Sequence, residues 1–195
     1  MATGRSHSRS VSATAEYART ISATSEPIER IMSEKIMRVY VDNSVVSGMF
    51  DDHMPERVAH MERFWQAMID GKIKIIASDV LRDEMVDSPQ HVREFFDDLP
   101  ESQIERVKST EESDKLALQY IAENVIGAAS LDDCRHIAVA TIAHADVVVS
   151  WNCDDMVNPN RVPKYTEVNK QHGYPKEDYP KIEIVTPDKF MEEYL

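Results

Sequence analysis

Residues 130–155 read SLDDCRHIAVATIAHADVVVSWNCDD, and this stretch decides the fold. An acidic pair opens an apolar, alanine-rich segment of helical length. A β-branched run, DVVVS (146–150), follows, and a second acidic pair closes the stretch. A helix leading directly into a short, fully apolar strand is the unit from which parallel sheets are built. The acids at its two ends are either helix caps and solvated turns or ligands that converge on one sheet edge to hold a cation.

The same alternation extends outward. RVYVDNSVV (38–46) is a β-branched run ending in polar residues. Val58, Met61, Phe64, Trp65, Met68 and Ile69 recur at helical spacing, predicting a helix over about 54–70 that stops at Gly71. KIKIIAS (72–78) reads as a second strand and 79–87 as a short helix. Ser88-Pro89 restarts a helix, with Ser as N-cap and Pro at the first helical position, running to Leu99-Pro100. A further helix starts near Thr110 or Ser113 and ends at Gly127, and another covers 131–144. After 150 comes a loop containing Pro and Asn, then a last strand, KIEIVT (181–186), and a short helix begun by Thr186-Pro187. Strands alternating with helices predict an α/β three-layer sandwich around a mostly parallel sheet of about four or five strands.

Residues 1–36 differ from the rest. They are rich in Ser, Thr and Ala, lack a sustained apolar period, and read as a disordered extension preceding a domain at 37–195. Met37 stands directly before the first strand and is a candidate start. No apolar run is long enough for a membrane span, and no secretory signal is recognisable. Two cysteines, Cys134 and Cys153, are too few for a disulfide framework and point to the cytoplasm. The net charge is −13, and residues 37–195 carry 17 basic against 31 acidic side chains. Such a surface does not draw nucleic acid by bulk electrostatics, though it suits metal ions and basic partners.

Ligands of open parallel sheets bind beyond the carboxyl ends of the strands. Asp42 ends the first strand, and Glu84 lies in the short helix after the second. Asp132 and Asp133 open the helix leading into DVVVS, while Asn152, Asp154 and Asp155 follow that strand. All four groups are expected on one edge. Singly, each has an ordinary explanation as a cap or a turn; together, clustered carboxylates repel unless a cation neutralises them. Oxygen ligands suit Mg²⁺ or Mn²⁺, and no His/Cys spacing resembles a zinc site. Ser44, two residues after Asp42, is placed to hold that carboxylate or to satisfy a turn. His136, three residues after Asp133, reads first as a packing histidine.

VYVDNSVVSG (39–48), ASDVLRDEM (77–85), LDDCRHIAVAT (131–141) and VVVSWNCDDM (147–156) together resemble the PIN-domain nucleases, the fold of VapC-type toxins of toxin–antitoxin pairs. The stretch VNKQHGYPKEDYPKIEIVTPDKF is similar to the tail of a subfamily with a Ser-Trp-Asn fourth motif. The resemblance covers about residues 37–190. It implies an endoribonuclease dependent on Mg²⁺ or Mn²⁺, with Asp42, Glu84, Asp133 and Asp155 as catalytic metal ligands and Ser44, Asn152 and Asp132 in support. Asn152 stands where many PIN domains carry an acid. A homodimer, an antitoxin protein partner and an RNA substrate are implied as well. Arg82, Arg135, Arg161 and Lys164 are the cations near the rim, either positioning an RNA strand or lying there as ordinary surface charges. The alternative is a catalytically silent PIN-fold module that binds protein or RNA. An aspartyl phosphatase on a similar sheet needs a second acid two residues after the first, where this chain has Ser44.

Overall fold

The computed structural model describes residues 35–174 and 181–195, and those from Ile36 onward form one compact unit. The expected disorder of 1–36 lies almost wholly outside the described residues.

Five strands build the sheet: β1 (Met37–Val41), β2 (Ile73–Ser78), β3 (Ile104–Val107), β4 (Val147–Val149) and β5 (Glu183–Val185). Their order is β3-β2-β1-β4-β5, and every pairing is parallel. Val39 is opposite Ile75 on one side and Val147 on the other, so β1 is the central strand. The chain winds outward from β1 to β3, then returns to place β4 against β1's free side. The β1/β4 boundary is therefore the topological switch point, where loops diverge and leave a crevice.

Eight helices accompany the sheet among the described residues: α1 (Asn43–Ser47), α2 (Pro55–Ile69), α3 (Asp79–Met85), α4 (Gln90–Asp97), α5 (Glu111–Ala122), α6 (Leu131–Ile142), α7 (Val162–Gln171) and α8 (Pro187–Glu193). Alternation along β1 explains the two helical layers. Val39 and Val41 face a core with Met61, Phe64 and Trp65 of α2, Phe96 of α4 and Phe190 of α8. Tyr40 faces the opposite way, onto Leu116 and Tyr120 of α5, Ile137 of α6 and Tyr165 of α7. Val39, Tyr40 and Val41 are fully buried, as the centre of a strand covered on both faces must be. The α/β three-layer sandwich with a mostly parallel sheet is thus the observed architecture.

Local chemistry sets the boundaries. Pro55 starts α2, where its missing N–H is no loss, and Gly71 (φ +74°) takes the left-handed turn that follows. Thr110 and Ser113 form a reciprocal capping box at the start of α5. Four local readings change. Residues 43–47 turn into α1 directly after β1, so the strand is shorter than its β-branched run suggests. IERV (104–107) forms strand β3 at the sheet edge, and 162–171 is helix α7 rather than loop. Pro89, rather than Ser88, occupies the cap position of α4, and the Ser88 hydroxyl instead exchanges hydrogen bonds with the Asn43 side chain at 3.0 and 3.2 Å. No helix among the described residues is long and apolar enough to cross a membrane.

Candidate active site at the carboxyl edge

Asp42 follows the last residue of β1 and is only 5% exposed. It occupies the N-cap position of α1, yet its side chain makes no cap hydrogen bond. Its oxygens instead accept from two hydroxyls, Ser44 Oγ to Oδ1 at 2.6 Å and Ser150 Oγ to Oδ2 at 2.7 Å. Ser150 comes from the end of β4, so the carboxylate bridges the two strands of the switch point. Ser44 Oγ also accepts from the Trp151 backbone N–H at 2.8 Å, which fixes the loop after β4 against α1. The Trp151 ring lies so close to Gly48 that a Cβ there would stand 3.1 Å from its Nε1, which accounts for the glycine.

Asp133, in the first turn of α6, is half-buried, and its Oδ1 accepts from Asn152 Nδ2 at 2.8 Å. Asn152 Oδ1 in turn accepts from the Asp155 backbone N–H at 3.0 Å. Glu84, near the end of α3, reaches His136 of α6, with Oε2 at 2.9 Å from Nε2. That approach is short but off-line for a hydrogen bond, so the attraction is electrostatic.

Electrostatics tie these groups together. Burial pushes the Asp42 carboxyl above its ordinary range, and Glu84 pushes the same way; His136, Ser44 and Ser150 pull against them. Burial likewise raises Asp133, with Asp42 and Glu84 adding to the shift and His136 and Asn152 opposing it. For His136, burial disfavours the imidazolium, but Glu84, Asp42 and Asp133 outweigh it and the pKa rises. The structure therefore brings Asp42, Glu84 and Asp133 within mutual electrostatic reach, with a fully buried histidine among them.

The other predicted acids have partners of their own. Asp155 accepts from Ser130 Oγ at 2.9 Å through Oδ2 and is ion-paired with Arg161 through Oδ1. Asp132 is exposed and accepts from Arg135 at 3.0 Å. Of the rim cations, Arg82 contacts Asp83 at 3.6 Å, while Arg161 and Lys164 border a polar groove with Asn124, Asn158 and Asn160. A second groove beside Glu84 is lined by Asp79, Asp83, Asp87, Asp114 and Asp132, and by the cation Arg135. Cys134 is buried and its thiol is pushed up to about 12, chiefly by burial and also by Asp133, so it is no nucleophile at neutral pH.

Among the described residues, no three His, Cys, Asp or Glu side chains are gathered tightly enough to form a ready cage for a metal. A hard divalent ion that keeps several waters needs only one or two carboxylates and carbonyl-type oxygens. Asp42 and Asp133 offer carboxylates of that kind; burial is the main cause of their raised pKa values, with neighbouring acids adding to it. The donor chemistry fits Mg²⁺ or Mn²⁺.

Sequence reasoning missed Ser150, Tyr40 and Ser78, and for His136 it put a packing role ahead of contact with the site. The phenol of Tyr40 lies 2.6 Å from Ser78 Oγ and 2.8 Å from His136 Nδ1. Two signals were available: Tyr40 shares a strand face with Asp42, and His136 follows Asp133 by one helical turn.

No protein-family model matches the chain, and no curated protein matches its sequence. Among solved structures, the chain is similar to one in the crystal structure of VapBC2 from Rickettsia felis bound to a DNA fragment from their promoter. That likeness has a TM-score of 0.45 and 11% sequence identity, and it covers 77% of this chain and 98% of the other, too loose a match to transfer any residue's role.

Proposed function

We propose that this protein is a metal-dependent endoribonuclease of the PIN type, hydrolysing RNA phosphodiester bonds at the β1/β4 crevice. The observation that carries the reading is that Asp42, Glu84 and Asp133, from three separate elements, each act electrostatically on the buried His136. The first three of the four sequence motifs that resemble PIN nucleases supply these acids in order.

Asp42 and Asp133 would hold Mg²⁺ or Mn²⁺, with Glu84 completing the acidic set. Bound there, such an ion acidifies water and polarises a phosphoryl oxygen. Ser44 and Ser150 fix both oxygens of Asp42, and Asn152 orients Asp133, so the ligands are held by hydroxyls and an amide rather than by further charge. The groove with Arg161, Lys164 and three asparagines offers a strand both charge and hydrogen-bond donors. The acidic groove beside Glu84 suits a basic protein segment, in keeping with a toxin held by an antitoxin. Homodimerisation belongs to the same reading.

A second reading, a silent PIN-fold module, draws on the absence of a ready cage among the described residues and on the commitment of Asp155 to Arg161. One experiment separates them. Purified full chain should cut single-stranded RNA with Mn²⁺ or Mg²⁺ and stop on chelation. Asp133→Asn should lower the rate by roughly 100-fold or more, about 2.7 kcal/mol of transition-state stabilisation. Asp155→Asn should lower it by less than about tenfold, because that side chain acts by holding the loop after β4. Inert wild-type protein across many RNA substrates favours the silent module.

A further inference from the structure

Four buried groups outside the acidic set form a path that begins and ends on the same helix. The Leu81 backbone N–H, in the first turn of α3, donates to Ser78 Oγ at 3.1 Å. Ser78 Oγ lies 2.6 Å from the Tyr40 phenol, which lies 2.8 Å from His136 Nδ1. His136 Nε2 then meets Glu84, three residues beyond Leu81 on α3. Tyr40 and His136 are completely buried and Ser78 is 4% exposed, so no solvent competes for these bonds.

The proton assignment follows from donor and acceptor inventory. Leu81 N–H occupies a lone pair of Ser78 Oγ, which leaves the serine O–H to donate. Its acceptor among the described residues is the Tyr40 oxygen. A phenol keeps its proton at neutral pH, so against the neutral imidazole Tyr40 donates that proton to His136 Nδ1. With Nδ1 accepting, the ring proton sits on Nε2, facing Glu84. The reverse assignment strands the Ser78 O–H without an acceptor and turns a nitrogen lone pair toward a carboxylate, both costly in a buried site.

We infer that Tyr40 is a positioning residue: through Ser78 it fixes the start of α3, and through His136 it fixes the Glu84 carboxylate that this helix carries into the candidate metal site. The inference rests on the proposed metal-binding role of Glu84. Tyr40 acts through two partners on different elements, β2 and α6, and one hydroxyl therefore sets both the axial position of α3 and the direction of its acid. Such outer contacts commonly change metal affinity by 10- to 100-fold when removed.

Tyr40→Phe keeps the ring and removes the hydroxyl, and Mn²⁺ binding to the full chain can be followed by the loss of free-ion electron paramagnetic resonance signal. Tyr40→Phe should weaken Mn²⁺ binding by about tenfold. In a Glu84→Gln background, the same substitution should add less than about twofold, since the residue it positions is already changed. Equal losses in both backgrounds would mean a general packing defect and overturn the inference, as would unchanged Mn²⁺ affinity in Tyr40→Phe alone. Failure of wild-type protein to bind Mn²⁺ at all overturns the metal reading itself, a distinct result. A second measurement needs no variant. In spectra of ¹⁵N-histidine-labelled wild type, the neutral form of His136 should carry its proton on Nε2, and a proton on Nδ1 overturns the relay.

Discussion

Asp42→Asn is expected to lose RNA cleavage by roughly 10³-fold, about 4 kcal/mol, while melting at a higher temperature than wild type. The two effects have one cause. The Asp42 carboxyl is buried, close to Glu84, and its pKa is raised, so in the metal-free protein its charge opposes folding. The sign is as follows. A raised folded-state pKa means the native state holds the proton more tightly than the unfolded chain does. The penalty is therefore full above the folded-state pKa and vanishes as pH falls toward the unfolded value near about 4. His136 offsets part of that penalty, and Ser44 and Ser150 offset more by donating to the carboxylate. An asparagine keeps a carbonyl oxygen for Ser44 and turns an N–H toward Ser150 Oγ, whose own hydroxyl proton must then turn to Ser44 Oγ at 3.4 Å, so the site loses its charge at the cost of one weaker bond. A gain on the order of 1 kcal/mol corresponds to about 2–4 °C for a protein of this size. The advantage of Asp42→Asn should be largest at neutral pH and shrink in acid. Adding Mn²⁺ should raise the melting temperature of wild type and leave the variant nearly unmoved, because only an intact site binds the ion in the native state. A variant that is both inactive and less stable at neutral pH, with an unchanged response to Mn²⁺, would remove Asp42 from the site.

The elements with strong local signals were the ones legible in the chain. The β-branched runs at β1, β2 and β4 and the helical stripe of α2 announce themselves by period, because each has one or two buried faces to satisfy. IERV of β3 sets two charged residues between two apolar ones, with no alternation over its four positions at the sheet edge, and Arg38 reaching across to Glu105 at 2.6 Å settles the Glu105 charge in three dimensions. Helix α7 hid behind asparagines and Pro163, which is a helix-start residue once the preceding loop is known. The acids at the strand ends could be assigned to one edge, since parallel topology dictates which ends face the same way. Of their hydrogen-bond partners, the sequence offered the local one, Ser44 on Asp42, but not those from distant elements. Ser150 reaches Asp42 only because β4 lies next to β1, and Tyr40 meets Ser78 and His136 only once β2 and α6 are both in place. Whether Asp155 faced the crevice was also beyond the sequence, since it depends on Arg161, at the entrance to a helix that was not foreseen.

Phe64→Ala should destabilise the protein by about 3–5 kcal/mol, whereas Ile69→Ala, five residues later on the same helix, should change stability by less than about 0.5 kcal/mol. Both belong to one apolar stripe in the sequence, and on pattern alone they are equivalent. Phe64 is completely buried, with its ring edge-on to Trp65 at 5.2 Å and to Phe190 at 5.6 Å between centroids. Removing it opens a void between α2, the sheet and α8, and neighbouring aromatic rings held in edge-to-face contacts cannot collapse into it without losing those contacts as well. Ile69 is 51% exposed at the last turn of α2, where the helix has already rotated past the sheet on its way to Gly71. Much of its side chain is already in water, so truncation to alanine forfeits little transfer energy and relieves a β-branched residue of its helical rotamer restriction. For Phe64→Ala the loss corresponds to a fall of roughly 6–20 °C at 2–4 °C per kcal/mol, and for Ile69→Ala to about 2 °C at most. Urea melts of the two variants should show the midpoint moving with the slope unchanged. Comparable losses at the two positions would mean that the end of α2 is covered in solution by another molecule.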